Sequence, residues 1–328
     1  MATTQISDLI VPSFFTDYIV KNTMEKSALY QSGVATANAA MIAQLQAGAD
    51  SFSVPHWLDL ADTEANIVSD DPAVLAIPRK IGTGKQVIRK SGVHSSWAAM
   101  NLASELSGDN ALARIQSRVT AYWDRQIQRR LIATLKGIQA DNVANDAGDM
   151  QIDISALVGA AAKFSATAVI DCAGTLGDGM EGLTAIAMHS DVYRYALKLD
   201  LIATVPSSQG GFIKTFRGLA IVVDDGLPLA TGNYTTVLFG FGAVGYGVTA
   251  PRIAAGTEIE NAPAAGNGGG QQTLHSRLNI AVHPLGFSWK EFAVVGESPT
   301  IAELATATNW DRVNVRKAVP MAFLVSKI

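Results

Sequence analysis

DNALARIQSRVTAYWDRQIQRRLIATLKG, residues 109–137, is the clearest helical pattern in this sequence. Asp109 and Asn110 are suitable N-cap residues and Gly137 is a typical helix-ending residue, so the pattern predicts one long helix that stops at Gly137. At about 100° per residue, large apolar side chains occupy one side of the helix. The other side carries a basic stripe: Arg114, Arg118, Arg125, Arg129 and Lys136.

This basic stripe has two interpretations. A row of charges on one helix face is commonly just the solvated face. Acidic residues do not alternate with these five, so a surface that meets phosphates or a partner's carboxylates is the alternative. From Arg79 to Lys136 the chain has eleven basic and three acidic residues, although the whole protein has a formal net charge of -4. Positive charge is therefore segregated in this part of the chain.

Upstream of the helix, residues 50–92 have an acidic first half and a basic second half. Strand-like runs over Ser51 to Trp57 and Lys85 to Arg89, with Pro and Gly breakers between them, predict a long projecting hairpin. Such a hairpin has little core of its own, so we expect it either to be mobile or to dock on a neighbour; a solvated loop is the alternative. The charged residues expected at an inter-subunit contact are Asp59, Asp62, Glu64, Asp70, Asp71, Arg79, Lys80, Lys85, Arg89 and Lys90.

Composition limits the class of protein. With 328 residues, of which 48% are apolar and 16% charged, the chain can bury one elaborate core or two ordinary ones. The net charge excludes a generally basic nucleic-acid binder. Mean hydropathy above zero indicates surface that other subunits cover, although an Ala- and Gly-rich fold with a good core explains it nearly as well.

The sequence predicts neither secretion nor membrane insertion. Its start lacks the basic and apolar regions of a signal peptide, and the longest apolar stretch, residues 155–170, is interrupted by Lys163. The lone Cys172 cannot form an intramolecular disulfide and is expected to be a buried structural thiol. The cytoplasm is therefore the expected place of folding.

Beyond residue 150 the pattern is that of an α+β protein. Strands are predicted over Leu183 to His189, Leu219 to Val223, Tyr234 to Phe239 and Leu278 to His283. Helices are predicted over Asp191 to Ile202, with Ser190 as N-cap, and over Ile301 to Thr306, with Ser298 as N-cap and Pro299 at the first helical position. Ala264 to Gln272 (AAGNGGGQQ) has the composition of a flexible loop.

No catalytic constellation emerges from the residues. Gly240 to Gly245 (GFGAVG) matches GxGxxG, and Glu260 stands where a ribose-binding acid would, which keeps a nicotinamide-dependent oxidoreductase as a remote alternative. However, Gly247 and Pro251 follow the motif, and a dinucleotide site needs a helix there. The five histidines form no ligand pair at helical or zinc-ribbon spacing. We therefore expect no enzyme activity, no metal and no cofactor.

Several segments together resemble the major capsid proteins of tailed bacteriophages, which have the Hong Kong 97-type fold. The segments that carry the resemblance are Pro12 to Gly33, Phe52 to Leu58 (FSVPHWL), Trp97 to Lys136, Phe216 to Asp225, Leu238 to Ala243 (LFGFGA), Thr273 to Trp289 and Ser298 to Trp310. Each is weak alone, but their order and spacing are fairly specific. The resemblance implies an α+β shell subunit without a catalytic site.

The resemblance also implies a division of the chain. The expected parts are an N-terminal arm at 1–49, an extended loop at 50–92, a peripheral domain with the long spine helix at 93–149, an axial domain at 150–250 and a return to the peripheral domain at 251–328. In this division the GxGxxG glycines lie in the axial domain and serve close backbone packing. The extended loop would lie over a neighbouring subunit.

The expected partners follow from the same resemblance. The subunit would form hexamers and pentamers of an icosahedral shell around double-stranded DNA, assembled in the cytoplasm of a host bacterium. Because the arm begins near Met1, with no long preceding segment, a separate scaffolding protein is expected, together with a portal. A decoration protein is left open, and covalent cross-linking cannot be inferred. A cargo shell of the encapsulin type, which has the same fold, is the alternative function.

Overall fold

The structure is a computed structural model that describes residues 3–4, 28–32, 34–206, 212–230 and 232–328. Within these residues the helices are α1 Ala28–Gln31, α2 Ala39–Leu45, α3 Asn101–Ser107, α4 Ala111–Asn145, α5 Ala166–Gly174, α6 Ser190–Lys198 and α7 Ile301–Leu304. The strands are β1 Thr3–Thr4, β2 Ala35–Ala37, β3 Ser51–Trp57, β4 Thr83–Arg89, β5 Ser91–Met100, β6 Gln151–Asp153, β7 Leu183–Met188, β8 Ala203–Pro206, β9 Phe212–Phe216, β10 Leu219–Val223, β11 Leu229–Ala230, β12 Asn233–Gly240, β13 Val244–Thr249, β14 Thr257–Ala262, β15 Gln271–Pro284, β16 Phe287–Trp289, β17 Trp310–Arg312 and β18 Met321–Ser326. Most of the predicted arm Pro12 to Gly33 lies outside the described residues.

One sheet has eight strands in the order β6-β18-β12-β7-β10-β9-β8, with β11 paired to β12 beside this path. Its middle strands are buried on both faces, since successive side chains of a strand point to opposite sides. Val237 and Phe239 join Leu131 of α4 in one apolar core. Leu238, between them, joins Val169 of α5 in a second core. The sheet therefore separates two cores.

A second sheet has the order β1-β5-β15-β13-β2, and β14 pairs with β15. Helix α4 crosses one face of this sheet. The indole Nε1 of Trp123 donates to Oγ of Ser276 at 2.8 Å, and the hydroxyls of Ser95 and Tyr122 are hydrogen-bonded at 2.7 Å. Because α4 also contributes Leu131 to a core of the first sheet, it connects the two sheets.

Helix α4 begins as predicted but ends later. The side chain of Asn110 accepts a hydrogen bond from the amide of Ala113, which caps the first turn. The predicted end at Gly137 is wrong, because the helix continues to Asn145. Gly137 is buried, and a β-carbon at this position would overlap the carbonyl oxygen of Leu304 and the indole ring of Trp310. The glycine allows close approach of another segment and does not end the helix.

The two predicted downstream helices are shorter than expected and begin after different caps. Helix α6 already includes Ser190, and the N-cap is His189, whose Nδ1 accepts from the amide of Asp191 at 3.1 Å. Helix α7 is capped by Thr300, which forms a reciprocal capping box with Glu303. The caps predicted at Ser190 and Ser298 are therefore wrong, as is the placement of Pro299 in the first turn.

The predicted strands are confirmed, with small shifts at their ends. The strand predicted to end at His189 ends at Met188, and the one predicted over Leu278 to His283 is the second half of β15. The strand β15 begins at Gln271, so the loop predicted over Ala264 to Gln272 is a shorter turn between β14 and β15.

The GxGxxG motif connects two strands. Gly240 ends β12 and β13 begins at Val244, so the helix required for dinucleotide binding is replaced by a strand. A β-carbon at Gly240 would lie 2.7 Å from Cβ of Pro320, so this glycine serves close packing. The strand β13 joins the second sheet and β18 joins the eight-stranded one, so sheet membership changes within the predicted parts 150–250 and 251–328.

Candidate assembly surfaces

The hairpin predicted over residues 50–92 is present. Strands β3 and β4 pair antiparallel, from Ser51 opposite Arg89 to Trp57 opposite Thr83. The base of the hairpin is anchored to the rest of the chain, because Phe52 packs against a small core that contains Met41, Leu45 and Ile88. The amide of Val87 also donates to Oγ of Ser288 at 3.0 Å.

Arg89, at the base of the hairpin, is held within its own chain. Its side chain is only 8% exposed, and one guanidinium nitrogen lies 3.0 Å from a carboxylate oxygen of Glu291. The same nitrogen donates to the carbonyl oxygen of Glu297 at 2.9 Å. Lys90 is half-buried, and its Nζ donates to the carbonyl oxygen of Ala47 at 3.5 Å. These contacts fix the hairpin to the body of the same chain, and the predicted contact of Arg89 and Lys90 with another subunit stays a prediction.

Beyond the paired strands, residues 58–82 form a segment that we call the loop tip. Every residue from 58 to 81 is exposed, and none lies in a helix or strand. The remaining eight predicted contact residues are exposed on or beside the loop tip: Asp59, Asp62, Glu64, Asp70, Asp71, Arg79, Lys80 and Lys85. These eight charges are therefore accessible to a neighbour.

The loop tip also exposes large apolar side chains, which the sequence analysis did not predict because it considered only the charged residues of this segment. Ile67 is 89% exposed, Val68 95% and Leu75 81%. Leu60, Val74 and Ile77 are exposed as well. Soluble monomers rarely expose a concentrated set of large apolar side chains.

Arg79 connects the two limbs of the loop tip. Its guanidinium group donates to the carbonyl oxygens of Thr63 at 3.1 Å and Glu64 at 2.6 Å. On the acidic limb, a carboxylate oxygen of Asp71 accepts from the amide of Ala73 at 2.9 Å. These hydrogen bonds limit the conformations of the loop tip, although it has no core of its own.

The basic stripe lies on α4, opposite the buried residues Trp123 and Ile127. Arg114 forms an ion pair with Asp109 at 2.9 Å, so its positive charge is partly neutralised within the chain. The other members of the stripe are half-buried or exposed: Arg118, Arg125, Arg129 and Lys136. The structure thus places the five residues on one face, as the helical pattern predicted.

A cavity of about 860 Å³ lies beside the second half of α4. Its walls come from α4, from α7 and from the turn after β10, and they include Ile132, Val223, Ile301 and Ala302. Polar and charged residues also line it: Gln128, Arg129, Lys136, Ser190, Asp224 and Asp225. Sequence analysis missed this cavity, because residues from three distant parts of the chain meet only in the folded structure.

A partly exposed ionic cluster near the end of α4 was also missed. Arg312 makes two hydrogen bonds to the carboxylate of Asp149, at 2.7 and 3.0 Å. Burial opposes ionisation of Asp149, but hydrogen bonds from Arg312 and Asn142 outweigh it and lower the pKa of this carboxyl group. Arg312 lies 3.3 Å from Asp146, so it also holds the end of α4. Two-pronged arginine contacts of this kind fix orientation well.

The thiol of Cys172 lies in an environment that suppresses its reactivity. Burial raises the pKa of the Cys172 thiol to about 12, so it is a structural thiol as predicted.

His94 and His275 lie on paired strands, with Nε2 of His94 at 3.2 Å from Nδ1 of His275, a contact that sequence spacing did not reveal. The described residues contain no group of three or more His, Cys, Asp or Glu suited to a metal ion. No helix in the described ranges is long and apolar enough to cross a membrane.

Sequence comparison finds capsid proteins. A family model described as "Gp13-like: Major capsid protein 13-like" matches residues 88–319. The major capsid protein of Bacillus phage SPP1 is 36% identical over 323 residues, which cover 95% of each chain.

Solved structures share the fold at low sequence identity. The capsid asymmetric unit of cyanophage Pam1 matches with a TM-score of 0.60 and 10% identity, covering 97% of this chain and 98% of that one. An encapsulin complex from Synechococcus elongatus matches with a TM-score of 0.51 and 14% identity, over 88% of both chains. At these identities the structural matches identify the fold, which is the Hong Kong 97-type fold of phage capsids.

Proposed function

The chain belongs to the Gp13-like family of major capsid proteins, and on that premise we propose that it assembles into the icosahedral shell around the double-stranded DNA of a tailed phage. Its role is structural, and we propose that it performs no catalytic step. The shell would consist of hexamers and pentamers of this chain, formed in the cytoplasm of the host bacterium. A separate scaffolding protein and a portal are the other proposed partners, and a decoration protein is left open.

The exposed apolar loop tip is the observation that supports this proposal most directly. Ile67 and Val68 are almost fully exposed in the single chain, although burial of such a side chain yields roughly 1.5–3 kcal/mol. A second copy of the chain can bury them if the loop tip lies on its surface. Obligate interfaces of this kind bury about 2,000 Å² or more in total.

Apolar contact would supply the affinity of this interface, and charge would supply its orientation. The acidic limb of the loop tip includes Asp70 and Asp71, which would seek basic surface on the neighbour. Exposed ion pairs contribute only about 0–1 kcal/mol each. We therefore place the main stabilisation in the apolar residues.

For the basic stripe we propose contact with packaged DNA by nonspecific attraction. Arg118 and Arg125 lie on one helix face, two turns apart, in the part of the chain from Arg79 to Lys136 where basic residues outnumber acidic ones by eleven to three. Binding of a polyphosphate needs only such a local concentration of Arg and Lys. Contact with the carboxylates of another subunit is the alternative for the same face.

Electron microscopy of the purified full-length protein tests the main proposal. The wild-type chain should form large closed particles, and the double variant Ile67→Asp, Val68→Asp should remain an unassembled but folded subunit. The control Asn66→Asp adds a charge at an adjacent exposed position without removing apolar surface. Circular dichroism should report the same fold for all three proteins. Wild-type particle yield from the double variant would contradict the proposed role of the loop tip.

The same particles distinguish an encapsulin-type shell from a phage capsid. A phage capsid produced during infection should contain double-stranded DNA, whereas an encapsulin-type shell should contain a cargo enzyme. Nuclease-protected nucleic acid and the protein composition of the particles separate these two functions. A discrete small species that binds a nicotinamide cofactor would contradict both.

A further inference from the structure

His94 and His275 lie side by side on the face of the second sheet that points away from α4. In the pairing of β5 with β15, Ser95 lies opposite Ser276. Both serines face α4, because their hydroxyl groups are hydrogen-bonded to aromatic side chains of that helix. Neighbouring side chains of a strand point to opposite sides, so the two histidines face the other way. Solvent reaches them there, since His94 is exposed and His275 is half-buried.

The facing nitrogens of the two rings have the separation of two ligands of one metal ion. Nε2 of His94 lies 3.2 Å from Nδ1 of His275, and the two ring planes differ by 19°. Two imidazole nitrogens that each lie about 2.0–2.1 Å from a zinc ion, at the tetrahedral angle, are about 3.3 Å apart. The strands therefore already hold the two donor atoms at a suitable distance. Each ring needs only to turn towards solvent to direct its lone pair at a common ion.

Glu260 on β14 determines which nitrogen of His275 carries the proton. Oε2 of Glu260 lies 3.1 Å from Nε2 of His275. An ionised carboxylate only accepts hydrogen bonds, so Nε2 donates and Nδ1 of the neutral ring keeps its lone pair, facing His94. A carboxylate on the far nitrogen of a ligating histidine is the usual outer partner in metal sites, where it fixes the tautomer and raises the basicity of the ligand.

The charges around the two rings also permit a cation. Arg277 lies opposite His94 in the strand pairing, and its positive charge opposes a metal ion. Its guanidinium group donates to the carboxylate of Glu258 at 2.9 Å, which offsets that charge. Glu260 adds a second carboxylate beside His275. The negative charge of these two glutamates thus outweighs the one guanidinium group.

We propose that His94 and His275 bind one divalent transition-metal ion through Nε2 and Nδ1, with Glu260 as the positioning residue. Imidazole nitrogens suit Zn²⁺, Ni²⁺ and Cu²⁺, whereas Mg²⁺ and Ca²⁺ favour oxygen ligands. Water fills the remaining positions of the ion, and His94 carries its own proton on Nδ1. The ion links β5 to β15 and, through Glu260, to β14. Sequence spacing did not reveal the pair, because the two histidines are 181 residues apart.

Titration calorimetry with ZnCl₂ tests the site in the full-length protein, after treatment with EDTA and dialysis. At about pH 7.5, above the ordinary histidine pKa of about 6.5, one Zn²⁺ should bind per chain. His94→Gln should abolish this binding. Glu260→Gln keeps both ligands and should weaken the affinity by about tenfold or more, as loss of an outer partner does.

The matched control for the charge is Glu181→Gln, which removes one carboxylate at an exposed position before β7, in the part of the chain that forms the other sheet. It should bind Zn²⁺ as the wild type does. Three results would overturn the proposal: binding that survives His94→Gln, one ion for every two chains, or binding only at millimolar Zn²⁺. Circular dichroism should report the same fold for all the variants.

Electron paramagnetic resonance with Cu²⁺ identifies the donor atoms independently. The wild-type spectrum should show splitting from two imidazole nitrogens, and His275→Gln should show one at most. A single nitrogen donor in the wild type would contradict the site.

Thermal unfolding measures the link between the strands. Zn²⁺ should raise the midpoint of the wild type but not that of His94→Gln, because an ion bound only to the folded chain stabilises it. An equal rise in both proteins would place the ion elsewhere. Particle formation, scored separately by microscopy, reports on the proposed function and not on this site, which lies within one chain.

Discussion

Gly137 lies at one of the closest contacts of α4, against the carbonyl oxygen of Leu304 and the ring of Trp310. At an open helical position, Gly to Ala stabilises by about 1 kcal/mol, because alanine has the higher helix propensity. At Gly137 the steric overlap should reverse that sign. We expect Gly137→Ala to lower the free energy of unfolding by about 2 kcal/mol, within the range of overpacked cores.

Urea unfolding of the unassembled subunit measures this effect. Gly174→Ala is the control, since Gly174 is also helical but a β-carbon there meets nothing within 4 Å. It should leave stability unchanged or slightly raised. A Gly137→Ala variant that is as stable as the wild type would mean that α4 is packed less closely than described.

His283 on β15 makes stability depend on pH. Burial lowers its pKa to about 4, although a hydrogen bond with the backbone of Phe287 opposes part of this shift. The unfolded chain, with a histidine pKa of about 6.5, then binds a proton between these two values while the folded chain does not. The neutral, buried His283 therefore makes its full contribution to the free energy of unfolding above about pH 6.5. That contribution is lost as the pH falls towards 4. The size of the loss is about 3 kcal/mol.

Chemical unfolding of His283→Leu at several pH values tests this linkage. Between pH 6.5 and 4, the free energy of unfolding should fall less in the variant than in the wild type, whatever the absolute stability of the variant at neutral pH. The slope of the free energy of unfolding against pH reports the titration of His283, whereas the absolute value also includes any change in packing. The slopes are therefore compared. An unchanged slope would show that another group is responsible.

Among the elements, the hairpin and the long helix were predictable because their patterns are local. Strand-like runs separated by Pro and Gly residues predicted β3 and β4. The helical spacing of Trp123, Ile127 and the basic stripe predicted α4. The end of α4 was not predictable, because the glycine at position 137 is required by close contact with Leu304, which is distant in sequence. The cavity and the contact between His94 and His275 escaped prediction for the same reason.

The basic stripe supports a prediction about α4 as an element. Replacing Arg118 and Arg125 with Gln should lower the temperature at which filled particles release DNA, because fewer counterions are displaced from the phosphates. The effect should weaken as the salt concentration rises. Arg114→Gln is the control, since Arg114 is paired with Asp109 and contributes less free charge.

Dye-detected DNA release from purified filled particles measures this difference. Empty particles of the same variants show whether the shell itself has been weakened. A loss of stability that is equal in empty and filled particles would favour the alternative contact, between the stripe and another subunit.

For the whole molecule, the α+β class and the Hong Kong 97-type fold were predicted from the order of weak motifs along the chain. The pairing of strands was not predicted, because β5 and β15 or β12 and β18 lie far apart in sequence. The predicted division into domains stays a prediction, and the two sheets offer a physical basis for revising it. In our proposal, function depends on surfaces that a single chain leaves exposed, above all the loop tip.

The position of β18 between β6 and β12 has a consequence for synthesis. Residues 321–326 pair with β12 on one side and with the edge strand β6 on the other, so β6 cannot join the eight-stranded sheet until they emerge from the ribosome. A nascent chain that lacks them has an unpaired strand edge and half-formed cores, and such chains are prone to misassociate. Because β18 follows every other strand of this sheet in the chain, the sheet cannot be completed before residues 321–326 have been synthesised. In the proposed assembly, a nascent chain therefore cannot join a shell before these residues have been added.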